Sequence, residues 1–269
     1  MPYQADPHYF LAGFVSLLLS AGKRKMGKCG LSQEKGWRLN PTCLLIGVMA
    51  WSLAAGAVSE VTADSTLKQD FRLWAPIYLT VPLSPSFIGY MDVTPRFGDD
   101  VSNLDQLYIR PAIGYKLTER LSLWQGYAWV GNYQPSFFVE NRLFQQLLYN
   151  EIFPFVKLTS RSRMEERFIE HTGGTAFRAR TMLRGDFPLP QIPDWAFVVY
   201  DEIFANLNTV ANGPEAGFDQ NRFFLGLNHK FMKQFNMDLG YQMQAHNYSQ
   251  SGLINQINNI LLLQFFIDL

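Results

Sequence analysis

The sequence predicts an all-β fold, an antiparallel up-and-down β-barrel of transmembrane type with twelve strands, or ten as the alternative. Three observations predict it. From Phe71 to the last residue, apolar and polar side chains alternate with period two, broken every ten to fifteen residues by Gly, Pro, Asn or Asp. Aromatic residues reach 15% while charged residues are only 17%, and no stretch of this region is apolar for the roughly 18 residues that a spanning helix needs. The last strand carries an unbroken apolar face, Leu261, Leu263, Phe265, Ile267 and Leu269, the kind of C-terminal strand by which outer-membrane barrels are recognised for assembly.

Residues 1–63 read as a leader. Lys35 and Arg38 precede an apolar run from Cys43 to Ala57, a basic n-region and an h-region of signal-peptide length. Val61-Thr-Ala63 places small residues where a signal peptidase cuts, after a short polar stretch, so the mature chain is expected to begin at residue 64. An earlier apolar stretch, Tyr9 to Ser20, is too short to span a bilayer, and Met26 is the expected true start. A lipoprotein is excluded because Cys43 lies before the apolar run. Both cysteines, Cys29 and Cys43, fall in the leader, so residues 64–269 hold no disulfide and no thiolate metal site. The leader is net basic and the remainder mildly acidic, which gives no reason to expect nucleic acid as a partner.

The body divides into candidate strands at 71–81, 86–96, 106–117, 120–132, 140–150, 155–169, 175–187, 194–206, 220–232, 236–246 and 257–269. In 106–117 one face reads Leu107, Ile109, Pro111, Ile113, Tyr115 and the other Tyr108, Arg110, Ala112, Gly114, Lys116. In 220–232 Phe223, Leu225, Leu227 and Phe231 oppose Arg222, Phe224, Gly226, Asn228 and Lys230. A barrel in lipid turns its apolar face outward, whereas a soluble sandwich turns it inward. Export, the C-terminal strand and the alternation of tight turns (83–86, 118–120, 232–235) with longer polar connections (97–105, 206–219, 246–256) favour the barrel. Eleven segments conflict with the even count expected when both ends lie in the periplasm. A short strand hidden near 60–70 is therefore expected, making twelve.

The charged faces carry the functional expectation. Segment 155–169 aligns Lys157, Thr159, Arg161, Arg163, Glu165 and Arg167; the next aligns Arg178, Arg180 and Arg184; Arg110, Glu202 and Arg222 share the same parity on their own segments. Near the bilayer midplane such cations cost about 2–4 kcal/mol each, so this arginine track is expected to face the lumen. Three functions follow. A narrow pore lined by the track would select small anionic solutes. A salt-bridged interior, with Glu165, Glu202, Asp238 and Asp268 as acid partners, would make a non-conducting structural or partner-binding barrel. A rim enzyme acting on lipid would need His246 and Ser249 as base and nucleophile. His229 has lipid-facing parity and His171 belongs to a solvated turn. No metal-ligand cluster, phosphate loop or nucleophile elbow is present, and no cofactor is expected. Trp74, Tyr90, Trp124, Trp129, Trp195, Tyr200 and Tyr241 are candidates for interfacial girdles. The expected partners are outer-membrane lipid, the outer-membrane assembly machinery and small anionic solutes.

From about Asp70 to Leu269 the sequence resembles a family of bacterial outer-membrane proteins, domain of unknown function 2490. The residues that carry the resemblance are Phe71-Arg-Leu-Trp74, Arg110-Pro-Ala-Ile-Gly-Tyr115, Arg161-Ser-Arg-Met-Glu-Glu-Arg167, Asp201-Glu-Ile-Phe204, Asn221-Arg-Phe-Phe-Leu-Gly226 and Leu239-Gly-Tyr241. The resemblance implies an outer-membrane barrel and no assigned reaction.

Overall fold

The computed structural model describes residues 68–247 and 254–269. The leader, its cleavage site and Ser249 lie outside the described residues. Every described element is a strand: β1 (Lys68–Trp74), β2 (Ile77–Pro82), β3 (Phe87–Gly98), β4 (Asn103–Lys116), β5 (Leu121–Asn132), β6 (Phe138–Phe153), β7 (Val156–Ile169), β8 (Thr175–Pro188), β9 (Trp195–Asn206), β10 (Gly217–Met232), β11 (Phe235–His246) and β12 (Gln256–Asp268). No helix among these residues is long and apolar enough to cross a membrane.

Each of the eleven sequence segments becomes strand within a few residues of its expected limits, and the first of them is divided in two. The division falls at Ala75-Pro76, where proline lacks the N–H that a ladder needs. The register nevertheless runs straight through the break. Trp74 lies opposite Leu262 and Ile77 opposite Phe265 on one side, and Trp74 opposite Arg96 and Ile77 opposite Val93 on the other. The Ala75 N–H donates to Pro95 O at 3.1 Å, and the Phe265 N–H donates to Pro76 O at 2.9 Å, so hydrogen bonding continues across the gap. β1 and β2 thus occupy one place in the sheet.

That place lies between β3, paired antiparallel, and β12, paired parallel. The sheet closes on itself through this parallel seam. Twelve assigned strands therefore fill eleven places, and the expected even count with both ends on one side does not hold. Strands in an odd closed meander must meet in parallel at the seam, which puts Lys68 and Leu269 at opposite ends of the barrel.

One end carries the connections 83–86, 117–120, 154–155, 189–194 and 233–234, and is called here the turn end. The other, the loop end, carries 99–102, 133–137, 170–174, 207–216 and 247–255. The asymmetry is milder than the sequence suggested, because 97–105 is mostly strand and leaves a loop of four residues. Two of the loop-end connections lean on each other: the Gly173 N–H donates to Ala211 O at 2.8 Å, and Val210 is buried.

The outward face is apolar around the whole barrel. Ile109, Ile113, Leu123, Leu143, Leu147, Phe177, Phe197, Leu225, Leu227, Leu239 and Leu261 are all exposed there, and the C-terminal face Leu261, Leu263, Phe265, Ile267 points the same way. The polar residues on this face hydrogen-bond to one another across strands, as in Asn221 to Asp201 at 2.8 Å and Tyr241 to Asn259 at 2.6 Å. Toward the turn end the outward rings form a contact row: Trp195 stacks on His229 at 4.3 Å, His229 meets Phe231 edge-on at 4.4 Å, and Phe231 stacks on Phe235 at 5.2 Å. Burial here is inverted relative to a soluble domain. The fully buried side chains, Phe144, Phe204, Phe224, Ile260, Glu165, Asn258, Asp92 and Asp238 among them, fill the lumen.

Glycine makes two of these seats. A Cβ on Gly126 would lie 2.1 Å from Phe144 Cζ, and one on Gly226 or Gly240 would lie 2.6–2.7 Å from Phe224 Cζ. The Phe224 ring lies across this paired glycine step and stacks on Tyr200 at 4.7 Å. Strands that lack a side chain there let an aromatic ring lie flat against the inner wall.

Candidate functional site

The lumen has two unlike halves. In the loop half, carboxylates sit between arginines from neighbouring strands. Glu140 accepts from Arg142 Nε and Arg167 Nε, both at 2.6 Å. Arg178 donates to Glu165 at 2.6 Å and to Asp219 at 2.9 Å. Arg72 is held by Asp70 and Asp105 at 2.6 and 2.7 Å. Amides fill the remaining space: Gln220, Gln244 and Asn258 are all buried, and Asn258 donates to Gln244 Oε1 at 3.0 Å. Buried charges persist where they are paired and hydrogen-bonded, and this network meets that requirement strand by strand.

On the turn-end side of this network lies a layer of cations on rings, called here the septum. The Arg96 guanidinium lies 3.7 Å from the Trp74 ring centroid and 4.0 Å from that of Tyr108. It donates to Tyr108 Oη and Gln106 Oε1, each at 3.1 Å. Arg222 lies over Trp74 at 4.9 Å and over Phe204 at 4.6 Å, and its Nε donates to Gln220 Oε1 at 3.2 Å. Neither Arg96 nor Arg222 has a carboxylate within 4.0 Å among the described residues. Ring faces supply the negative potential instead. Arg180 completes the layer, bonded to Glu202 at 2.8 and 2.9 Å and to Glu165 at 3.2 Å.

Below the septum a cavity of about 650 Å³ extends to the turn end, where Lys116, Thr118, Glu119, Arg120, Lys157, Lys230 and Asp268 line it. Its lining reaches upward to Trp74, Arg96, Phe144, Arg163, Arg180 and Arg222, and includes none of Glu140, Arg142, Arg178, Asp219 or Gln244 of the loop half. This cavity, whose lining ends at the septum, is called here the vestibule.

The inward parity expected of Arg110, Lys157, Arg161, Arg163, Glu165, Arg167, Arg178, Arg180, Arg184, Glu202 and Arg222 is the parity the strands adopt, but the septum divides the track. Arg167 and Arg178 belong to the loop half. Arg110, Lys157, Arg161, Arg163 and Arg184 line the vestibule, with Arg180 and Arg222 at its ceiling. Arg110 pairs with Asp92, Arg161 with Glu202 at 2.8 Å, and Arg184 with Asp186 and Asp238, both at 2.5 Å. Arg163 rests mainly on Gln146 Oε1, at 3.0 and 2.6 Å, with Glu165 at 3.7 Å. Of the expected acids, Glu165, Glu202 and Asp238 make ion pairs. Asp268 lies at the vestibule mouth without one among the described residues.

Several functional side chains were not singled out in the sequence. Asp92, Arg96, Glu140, Arg142 and Asp186 share the inward parity of their strands, and extending that parity along each segment would have found them; Asp219 has the opposite parity and turns inward at the register shift between Phe218 and Gln220, which no alternation shows. Four girdle candidates are corrected by the same test. Trp74, Tyr90, Trp124 and Tyr200 point into the lumen, on the parity of Arg72, Asp92, Ser122 and Glu202; Trp129, Trp195 and Tyr241 point outward. His171 is exposed in its turn and His229 outward, as expected. His246 closes β11 on the inward face, 3.8 Å from Asp219. Its proposed companion Ser249 is outside the described residues. No group of His, Cys, Asp and Glu able to hold a metal ion occurs among the described residues.

The chain is thus an all-β closed barrel, antiparallel except at its seam, with a charged interior divided by an arginine–aromatic layer. It belongs to the family described as Protein of unknown function (DUF2490), which matches residues 71–255 and so reaches from β1 to the last loop. An uncharacterized protein of Methylorubrum extorquens is 35% identical over 206 residues, covering 74% of this chain and 88% of its own length. No solved structure matches it significantly.

Proposed function

We propose that the protein is a bacterial outer-membrane barrel that does not conduct, and that its lumen is a vestibule for small solutes open to the periplasm. The observation that carries this reading is that the cavity reaches the turn end and stops at the Trp74, Arg96 and Arg222 layer. The apolar outer face supports a bilayer setting: barrels in lipid present such a band, and short turns on the periplasmic side orient the open end. The network above the septum supports closure, since a conducting lumen would need a hydrated path past Glu140, Arg142, Glu165 and Arg178, all 5% exposed or less.

The competing reading is the anion-selective pore. It draws on Arg96 and Arg222, which have no carboxylate within 4.0 Å among the described residues, because such cations at a constriction would select for anions. Chloride influx separates the two. With the barrel folded into vesicles that contain a chloride-quenched dye, quenching is expected at the rate of empty vesicles. Quenching that quickens with the amount of folded barrel would favour the pore and end the closed reading.

A further inference from the structure

The vestibule has two unlike walls. β2, β3, β5 and β12 contribute rings: Tyr78 and Phe266 with centroids 4.9 Å apart, Tyr78 and Tyr90 at 6.2 Å, Tyr90 and Trp124 at 6.1 Å. β7 contributes Lys157, Arg161 and Arg163. In the eleven-place order β7 is five places from β2 by way of β3 and five from β12 the other way, so the cations face Tyr78 and Phe266 across the lumen, while Trp124, in one cross-strand row with Gln146 and Arg163, joins the two walls.

Charge is unbalanced in the same space. Eleven basic side chains line the cavity against five acidic ones. Counting Glu151, Glu165 and Asp238, which reach lining arginines at 2.8, 3.2 and 2.5 Å, brings the acids only to eight. The guanidinium donors show the same shortfall. Arg110 Nε, Arg161 Nε and Arg163 Nη1 are buried and have no acceptor among the described residues, and Arg163 is only 6% exposed. Buried donors are nearly always satisfied, by protein, water or a bound group. At the mouth, Lys116, Lys157 and Lys230 come from three separate strands and have no ion pair among the described residues. A low-dielectric cleft with an excess of one sign of charge concentrates the opposite one.

We propose that the vestibule binds an organic anion with a flat, unsaturated body, its acid group on Arg161 and Arg163 and its ring plane against Tyr78, Tyr90 and Trp124. The inference rests on the one-ended vestibule of the proposed function. The volume, about 650 Å³, lies within the roughly 300–1,000 Å³ of small-molecule sites and far exceeds what a bare inorganic anion fills. Arginine recognises a carboxylate through paired donors, and the aromatic wall would reward a planar body, which phosphate or chloride lacks.

Calorimetric titration of the full chain, folded in a zwitterionic detergent, tests this with 2-naphthoate, naphthalene-2-carboxamide and inorganic phosphate, each corrected for a micelle blank. Naphthoate is expected to bind saturably at one site, with the carboxamide and phosphate each at least about tenfold weaker, one lost charge-assisted contact being of that order. Arg163→Gln is expected to weaken naphthoate by about tenfold. Where that variant does not fold, Lys157→Gln, at an exposed position without an ion pair, is expected to weaken it by a smaller factor. Equal binding of the carboxamide would overturn the anionic part of the proposal, and equal binding of phosphate the aromatic part. Absence of naphthoate binding to the folded barrel would overturn it entirely. Closure of the lumen is read separately from chloride influx, so a failed titration with silent vesicles removes the ligand and leaves the closed barrel standing.

Discussion

Glu165→Ala is expected to destabilise the barrel by about 3–5 kcal/mol, the cost of leaving buried charges without their partner. Glu165 is 2% exposed and serves three arginines: Arg178 at 2.6 Å, Arg180 at 3.2 Å and Arg163 at 3.7 Å. Its removal leaves Arg163 with only an amide oxygen and Arg178 with only Asp219. Glu165→Gln keeps the shape but places donors opposite donors, so most of the loss is expected to remain. Glu166 is the control. It follows Glu165 in sequence but points outward on β7 between Leu143 and Phe177, and Glu166→Gln, which removes a charge from the outer face, is expected not to destabilise the barrel. Urea unfolding of vesicle-embedded barrel, followed by the shift in gel mobility between folded and heated samples, measures all three. Similar midpoints for Glu165→Ala and Glu166→Gln would mean that the internal ion pairs do not hold the strands.

Leu225→Arg is the second large effect, and it concerns the outer face. Leu225 is 43% exposed and lies between Val199 on β9 and Tyr241 on β11, with Leu227 next on its own face. In water, an exposed leucine replaced by arginine changes stability little. At the middle of a bilayer the same change costs about 2–4 kcal/mol. The same urea unfolding in vesicles is expected to show that loss. A change below about 0.5 kcal/mol would mean that this face does not meet hydrocarbon.

Much of the fold was legible because alternation is dictated by the pleat and survives any tertiary context. A segment such as 155–169, with charge on every second residue, has only one way to sit in a closed sheet that turns its apolar face outward. The break at Pro76 falls inside 71–81, which alternation presents as one strand, and its effect on the count is not local. An even number follows only if both chain ends share a side, and the parallel seam between β1 with β2 and β12 is a long-range pairing that no local pattern encodes. The same holds for the septum. Trp74, Arg96 and Arg222 come from β1, β3 and β10, and they meet only once the barrel has closed. Arg184 and Asp238 were legible as inward by parity but not as partners, being 54 positions apart; Asp219, 41 positions from Arg178, was legible by neither, because a register shift turns it inward. The four inward aromatic residues assigned to the girdles show the cost of reading residue type before parity. Tyr200 is adjacent to Asp201 but shares its face with Glu202, and its hydroxyl donates to Gln242 Oε1 at 2.9 Å inside the lumen.

Single-channel recording in a planar bilayer tests the closed, one-ended lumen most directly, with the wild-type barrel beside a Trp74→Ala, Arg96→Ala double variant. The wild-type barrel is expected to insert without steady current. The double variant, which removes one ring and one guanidinium from the septum, is expected to conduct with a preference for anions, because Arg180 and Arg222 remain beside the gap. Steady current through the wild-type barrel, unchanged by removal of Trp74 and Arg96, would contradict the account, because the conducting path would then not pass through the septum.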